Sequence, residues 1–226
     1  MSFYPADLAR IHDEGFGDFA RAAACELLRR LPPAGLVVEL GCGTGISSEI
    51  LVAAGYDVLG IDISPDMLAI ARRRMPSAEL REGSLWDAEL PRCIAVTAFG
   101  EVLNYAADKR AGEGQLPALF SRVHGALEPG GVFLFDFATP GRAGPPRTHE
   151  GDGWRIRSET VESAGVLERR MRFDDGREEV HTLRLYEPAF VQKCLEGPGF
   201  SSEALVAYCD FGFWPGYAAF AAVKPG

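Results

Sequence analysis

The chain has 226 residues, 47% hydrophobic and 24% charged, which is enough apolar content for a full buried core and too much for global disorder. Its net charge of −9 disfavours a general nucleic-acid binder, which needs clustered Lys and Arg to meet phosphates. No apolar run approaches the roughly 20 residues that span a bilayer, and the five cysteines form neither a Cys-x-x-Cys pair nor a cluster with His, so the expectation is a cytoplasmic protein with reduced thiols, no membrane association and no metal.

From the N-terminus, Tyr4 to Leu31 has the spacing of a helix, with Phe16, Phe19, Ala23 and Leu27 in period and a break at Gly15 and Gly17. Pro32-Pro33 ends it. An alternation follows. Leu36 to Leu40 is a short apolar run closed by glycine, as in a buried parallel strand. Gly45 to Ala54 is predicted helical and Asp57 to Ile61 extended. Ser64-Pro65-Asp66 starts a helix, with Ser64 as N-cap, that runs to Arg74. The run Arg72-Arg73-Arg74 is read as the solvated end of that helix. Ala78 to Arg81 and Ile94 to Phe99 are strands, Gln115 to Leu127 is a helix, and Pro129-Gly130-Gly131 turns into a strand over Val132 to Phe135. Strands alternating with helices predict a parallel sheet covered on both faces.

The pattern then changes. Ala138 to Gly153 is rich in Gly and Pro and reads as a linker. Three period-2 stretches, Trp154 to Glu162, Val166 to Phe173 and Glu178 to Tyr186, predict a three-stranded antiparallel insert. The alternation resumes with a helix over Pro188 to Glu196 and strands over Ala204 to Tyr208 and Tyr217 to Val223.

The chemistry centres on Glu39-Leu40-Gly41-Cys42-Gly43-Thr44-Gly45, glycines placed between a strand and a helix, where ligand and backbone can approach closely. Asp62 ends the next strand, at the sheet edge where a carboxylate accepts from ribose hydroxyls. A dinucleotide fingerprint needs glycine at position 46, which is Ile46 here. A P-loop is excluded, because no Gly-Lys-Ser/Thr follows. Glu39, just before the loop, points to a ligand with a cationic end.

These residues resemble the first motif of the class I S-adenosylmethionine-dependent methyltransferases that act on small molecules. Gly60 to Met67 resembles the second motif, and Leu127-Glu128-Pro129-Gly130-Gly131 to Asp136 the late segment before the fifth strand. The resemblance covers 35 to 137 and, more loosely, 187 to 223. It implies a Rossmann-like α/β fold whose seven-stranded sheet has its last strand antiparallel. The domain expectation is an N-terminal helical cap (1–33), a cofactor domain (34–140 and 187–226) and an antiparallel β insert or substrate lid (141–186).

The resemblance implies S-adenosylmethionine as cofactor and assigns it to named positions. Glu39, Gly41, Cys42 and Gly43 match its methionine and ribose part, and Asp62 the ribose. Ile63 and Met67 match the adenine face, and Ser84 and Leu85 the adenine edge, although many relatives carry Asp where Ser84 stands. Phe99 and Gly100 match the backbone beside the methionine amine. Methyl transfer from a sulfonium requires mainly alignment and exclusion of water, so no motif has to announce a catalytic residue. The candidates are Tyr105 and Glu101, each of which equally suits a loop role, and His181, a position where a packing histidine is the commoner case. Tyr4, His12, Tyr105, Trp154 and Tyr186 are the candidates for the acceptor pocket, with Phe211, Phe213 and Trp214 as further aromatics. The partner expected is a small-molecule acceptor with an N or O nucleophile, and the oligomeric state stays open. A non-catalytic sensor that keeps the cofactor site, and less favourably a nicotinamide-dependent oxidoreductase, remain as alternatives.

Overall fold

The computed structural model describes residues 6–15 and 17–226, and the first elements are helices α1 (Ala6–Gly15) and α2 (Gly17–Leu28). Strands β1 (Leu36–Leu40), β2 (Asp57–Asp62), β3 (Glu79–Glu82), β4 (Cys93–Ala98) and β5 (Leu127–Ala138) alternate with α3 (Ile46–Ala53), α4 (Pro65–Arg74) and α5 (Leu116–Ala126). Strands β6 (Arg147–Gly151), β7 (Trp154–Ser163), β8 (Val166–Phe173) and β9 (Glu178–Arg184) form a separate antiparallel sheet. Helix α6 (Pro188–Glu196), β10 (Ser201–Leu205), the small hairpin β11 (Ala207–Tyr208) and β12 (Phe211–Gly212), and β13 (Tyr217–Val223) complete the chain.

The main sheet has the order β10-β13-β5-β4-β1-β2-β3. Its strands are parallel except β13, which runs antiparallel to both β5 and β10. The period of two sends successive residues to opposite faces. Val38 and Phe133 join the layer of α5 and α6, with Leu119, Phe120 and Val191. Val37 and Leu134 join the layer of α2 and α3, with Leu27 and Leu51. Each such fully buried side chain stabilises the fold by about 2 kcal/mol. The expected N-terminal cap thus divides in space: α2 belongs to a core layer, while α1 packs Leu8 and Ile11 on Ile156 and Phe173 of the β insert.

Three boundaries differ from the sequence reading. Strand β5 runs through Pro129-Gly130-Gly131 instead of starting after it. There Gly130 N–H donates to Lys224 C=O at 2.8 Å and Lys224 N–H to Gly131 C=O at 2.9 Å, so the C-terminal segment continues the ladder across the turn-like residues. The insert has a fourth strand, β6, inside the stretch read as a linker. Its residues are exposed apart from His149, so no apolar alternation announces it, and pairing with β7 (His149 opposite Ile156) makes it a strand. Strand β10 starts three residues before the expected Ala204 to Tyr208 and ends at Leu205, in the register where Ser201 meets Val223, and Ala207–Tyr208 pairs separately as β11.

The run Arg72-Arg73-Arg74 also needs correction at one member. Arg72 and Arg73 are exposed, but Arg74 donates to both Asp13 carboxylate oxygens at 2.7 and 2.9 Å and to Thr44 C=O at 2.6 Å. It ties α1 to the glycine loop. Trp154 Nε1 donates to Glu14 at 2.6 Å, fastening α1 to the insert as well. No helix among the described residues is long and apolar enough to cross a membrane.

Candidate cofactor and acceptor site

The glycine loop is folded back onto β2. Gly41 N–H and Cys42 N–H both donate to Ile61 C=O, at 2.7 and 3.1 Å. Gly41 has φ +71°, and a Cβ there would meet Val102 Cγ1 at 2.5 Å, so only glycine lets the loop pass under Val102. Asp62 fixes the next turn of chain: its Oδ2 accepts from Gly43 N–H and its Oδ1 from Ser64 N–H, each at 2.8 Å. Burial raises the Asp62 carboxyl above its ordinary range, and each oxygen retains capacity for one more donor. Ser64 Oγ accepts from Met67 N–H at 3.2 Å, the N-cap expected for α4.

Glu39 lines the cavity above the loop, but its two oxygens accept from the Ser47 and Ser48 hydroxyls of α3. Burial lifts it to about 7, so it sits on the edge of ionisation rather than as a fixed negative charge. Burial also pushes the Cys42 thiol well up, so it is a protonated packing group.

The next sector is apolar with a polar edge. Ile63, Met67 and Leu85 line it. Ser84 Oγ accepts from Trp86 N–H at 3.0 Å and donates to the Asp108 carboxylate. Asp108 is a liner that sequence reasoning missed. It places a carboxylate against Ser84, the position where many relatives carry an aspartate of their own. Arg110 N–H and Ser84 hold its carboxyl below the usual range. The separation of 24 residues between the two gave no motif to detect.

Phe99, Gly100 and Glu101 form the third sector. The buried Asp136, at the end of β5, accepts from Gly100 N–H at 2.9 Å, from Glu101 N–H at 2.8 Å and from the hydroxyls of Tyr208 and Tyr217. This holds Glu101 in the left-handed region at φ +63°, a conformation that costs energy in a residue with a Cβ. Desolvation lifts Asp136 to about 7. Glu101 itself is 5% exposed and bridges Arg142 at 2.6 Å and Arg169 at 2.7 Å. Those arginines hold its carboxyl below the ordinary value, and both its oxygens are engaged, so it is not placed to act as a general base.

These sectors meet in one cavity of about 380 Å³ at the carboxyl ends of the parallel strands, between the sheet, α1 and the β insert. All the sequence-assigned cofactor residues line it: Glu39, Gly41, Cys42, Gly43, Asp62, Ile63, Met67, Ser84, Leu85, Phe99 and Gly100. Tyr105, His181, His12 and Trp154 line its far end with Trp214 and Tyr217, while Phe211 and Phe213 do not. Tyr105 and His181 are in edge-to-face contact, ring centroids 5.5 Å apart. Burial lowers both His12 and His181 to about 4, so both are neutral near pH 7. Tyr4 lies outside the described residues. Tyr186 is a correction. The chain leaves β9, Tyr186 N–H donates to Ala138 C=O at 3.2 Å, and the side chain turns away from the cavity into the core, 1% exposed beside Phe190.

The fit to a nucleoside-bearing sulfonium can be read from the cavity walls. At Gly43 and Gly100 an added Cβ would meet nothing within 4 Å, so both glycines leave a cradle that side chains would fill. Hydroxyl acceptors at Asp62, an apolar sector at Ile63 and Met67, and an acid beside Ser84 suit a ribose, an adenine face and an adenine edge in that order. Fold and site together define a Rossmann-like α/β architecture with a cavity at the carboxyl ends of its parallel strands.

Residues 37–131 match the family described as a methyltransferase domain. The sugar N,N-dimethyltransferase of Streptomyces fradiae that acts on dTDP-3-amino-3,6-dideoxy-alpha-D-glucopyranose is 35% identical over 141 residues, covering 59% of this chain and 54% of the relative. The chain thus spans about half the length of the curated relatives it matches. Among solved structures, the CcbJ methyltransferase from Streptomyces caelestis superposes with a TM-score of 0.82 at 20% identity, covering 100% of this chain and 98% of that one. The S-adenosylmethionine-bound amino pentose methyltransferase CalS10 from Micromonospora echinaspora superposes with 0.76 at 22% identity and 98% coverage of each chain. Residues 37–131 thus match a methyltransferase domain, and the chain has the fold of these solved methyltransferases.

Proposed function

We propose that the protein transfers a methyl group from S-adenosylmethionine to an N or O nucleophile of a small molecule held under the β insert. The observation that carries this is the single cavity shared by the glycine loop with Asp62 at one end and by Trp154, Ile156, Arg169 and Met171 of the insert at the other. The cofactor supplies an already activated methyl group, so the protein's work is to align and to exclude water. Asp62 would hold the ribose hydroxyls, Ile63 and Met67 the adenine face, and Ser84 with Asp108 its edge. The Gly100–Glu101 backbone, positioned by Asp136, would flank the methionine end. Helix α1 and the insert cover the acceptor, which supports a division into a small cap, a cofactor domain and a β insert that serves as lid.

An acceptor amine or hydroxyl meets Tyr105, His12 and His181. A neutral imidazole can accept its hydrogen bond and orient it, but a side chain held near 4 is a poor base near pH 7. An acceptor that reaches the site as a free amine needs no base. The amino sugar acted on by the Streptomyces fradiae relative makes such amines the first acceptors to try. Cytoplasmic placement, with no nucleic-acid or membrane partner, is part of this reading; the cysteines are free and the net charge is −9.

Two measurements test the proposal. Calorimetric titration with S-adenosylhomocysteine should show saturable binding. Labelled-methyl transfer to a panel of amino sugars and their nucleotide derivatives, then to cell-extract metabolites, should give a labelled small molecule. Cofactor binding without any transfer would favour the non-catalytic sensor, and no binding would sink both.

A further inference from the structure

The charges lining the cavity are segregated. Glu39, Asp62 and Asp108 lie at the loop end, whereas Arg142, Arg147, Arg169 and His149 lie at the end under the insert. The acid lining that second end is Glu101, and its two oxygens are shared between Arg142 Nε and Arg169 Nη2, while the buried Asp136, lifted to about 7, lies behind it on Glu101 N–H. With Arg147 on the same cavity wall, the guanidiniums outnumber these acids and leave a net positive charge. The Arg142 and Arg169 side chains are only 16% and 19% exposed, so water compensates little of it. Arg142 lies over the rings of Trp214 and Tyr217, at 5.5 and 5.4 Å, which fixes its plane. Among the described residues it commits Nε to Glu101, leaving its Nη groups for a ligand. Arg147 comes from the exposed strand β6. Arg147 and His149 stand two residues apart on that strand, so they share one face of it, and both line the cavity with Arg169.

We infer that this end of the cavity is an oxyanion site, and that the methyl acceptor carries a carboxylate or phosphate held by Arg142 and Arg147. Arg169 and Glu101 keep Arg142 in position. The fork of a guanidinium matches either oxyanion with two parallel hydrogen bonds. A neutral acceptor would leave the excess charge uncompensated beside the reacting group. The anion would sit away from the loop end, where Asp62 and Asp108 repel it, so the nucleophile of the same molecule would point toward the methyl donor. This inference rests on the proposed methyl transfer.

The test titrates inorganic pyrophosphate and tricarballylate into the protein, both alone and saturated with S-adenosylhomocysteine. At least one anion should bind, and the preference between them separates a phosphate-bearing from a carboxylate-bearing acceptor. Arg147→Gln, on an exposed edge strand where folding is not at stake, should weaken that binding roughly tenfold. Arg142→Gln should weaken it at least as much, with its melting transition measured alongside. The His149 imidazole, followed by NMR, should titrate at higher pH when the anion is bound, because the anion offsets the two arginines. The inference is overturned if neither anion binds the folded protein, or if Arg147→Gln binds as tightly as the native chain. S-adenosylhomocysteine binding with no anion binding removes this inference alone, whereas loss of S-adenosylhomocysteine binding removes the proposed function.

Discussion

Asp62→Ala removes one carboxylate that holds the loop and would hold the cofactor. In the fold, Gly43 N–H and Ser64 N–H each lose an acceptor at 2.8 Å. A hydrogen bond to a charged group contributes about 1.5–3 kcal/mol. Asp62 is half-buried, so water can take up part of what its carboxylate gives and the lower end applies. A total near 2–3 kcal/mol corresponds to a melting temperature lower by roughly 4–12 °C in a chain of this size. In the complex, two ribose hydroxyls lose the same acceptor. At about 1.5 kcal/mol each, S-adenosylhomocysteine binding should weaken roughly 100-fold. Asp62→Asn separates the two effects: its remaining carbonyl oxygen can keep one backbone N–H, while the charge is gone. Its affinity should fall roughly tenfold with a smaller change in melting. Calorimetry at a temperature where both variants are folded is the assay. A folded Asp62→Ala protein whose affinity stays within about threefold of native would refute the ribose role.

Other outcomes follow from neighbouring residues. Glu39 has its pKa raised from 4.5 to about 7, so the folded state binds its proton more tightly than the unfolded chain does. Its contribution is complete below the unfolded value and lost as pH rises through the folded one. Native melting temperature should therefore fall between about pH 5 and about pH 8, and fall less steeply in Glu39→Gln, with Asp136 supplying the slope that remains; equal slopes would remove Glu39 from the account. Gly41→Ala forces a Cβ onto Val102 at 2.5 Å with φ +71° and should cost about 2 kcal/mol or more. Denaturant melts of Gly41→Ala with Val102→Ala should recover the part due to the clash. Arg74→Ala removes the donors to Asp13 and Thr44 that tie down α1, so amide exchange over 6–15 should quicken while α2 is unchanged. Uniform exchange across both helices would refute that assignment.

The elements legible in advance are those whose cause lies within a few residues. Ser64 caps α4 because its own hydroxyl reaches Met67 N–H, and Pro65 is preorganised for the first turn. The loop from Gly41 to Gly45 and the carboxylate at the end of β2 meet because adjacent parallel strands end at the same sheet edge. Strands β6 and β10 were less legible, since an exposed polar strand and the register of an edge strand are set by the partner strand, not by their own pattern. Tyr186 misled for a related reason. It lies two residues past Arg184, the end of β9, where the chain has already left the insert for the core.

The sequence by itself determined the glycine loop and Asp62, because they belong to one βα turn and the strand beside it. Only the tertiary structure decided which residues from other elements complete the cavity. The Arg142–Glu101–Arg169 cluster joins residues up to 68 positions apart, and Asp108 joins Ser84 across 24. Asp136 positions Glu101 from 35 residues away. Such pairings are selected by packing between elements, which depends on distance in space, whereas sequence periodicity reports only which face of its own element a residue occupies.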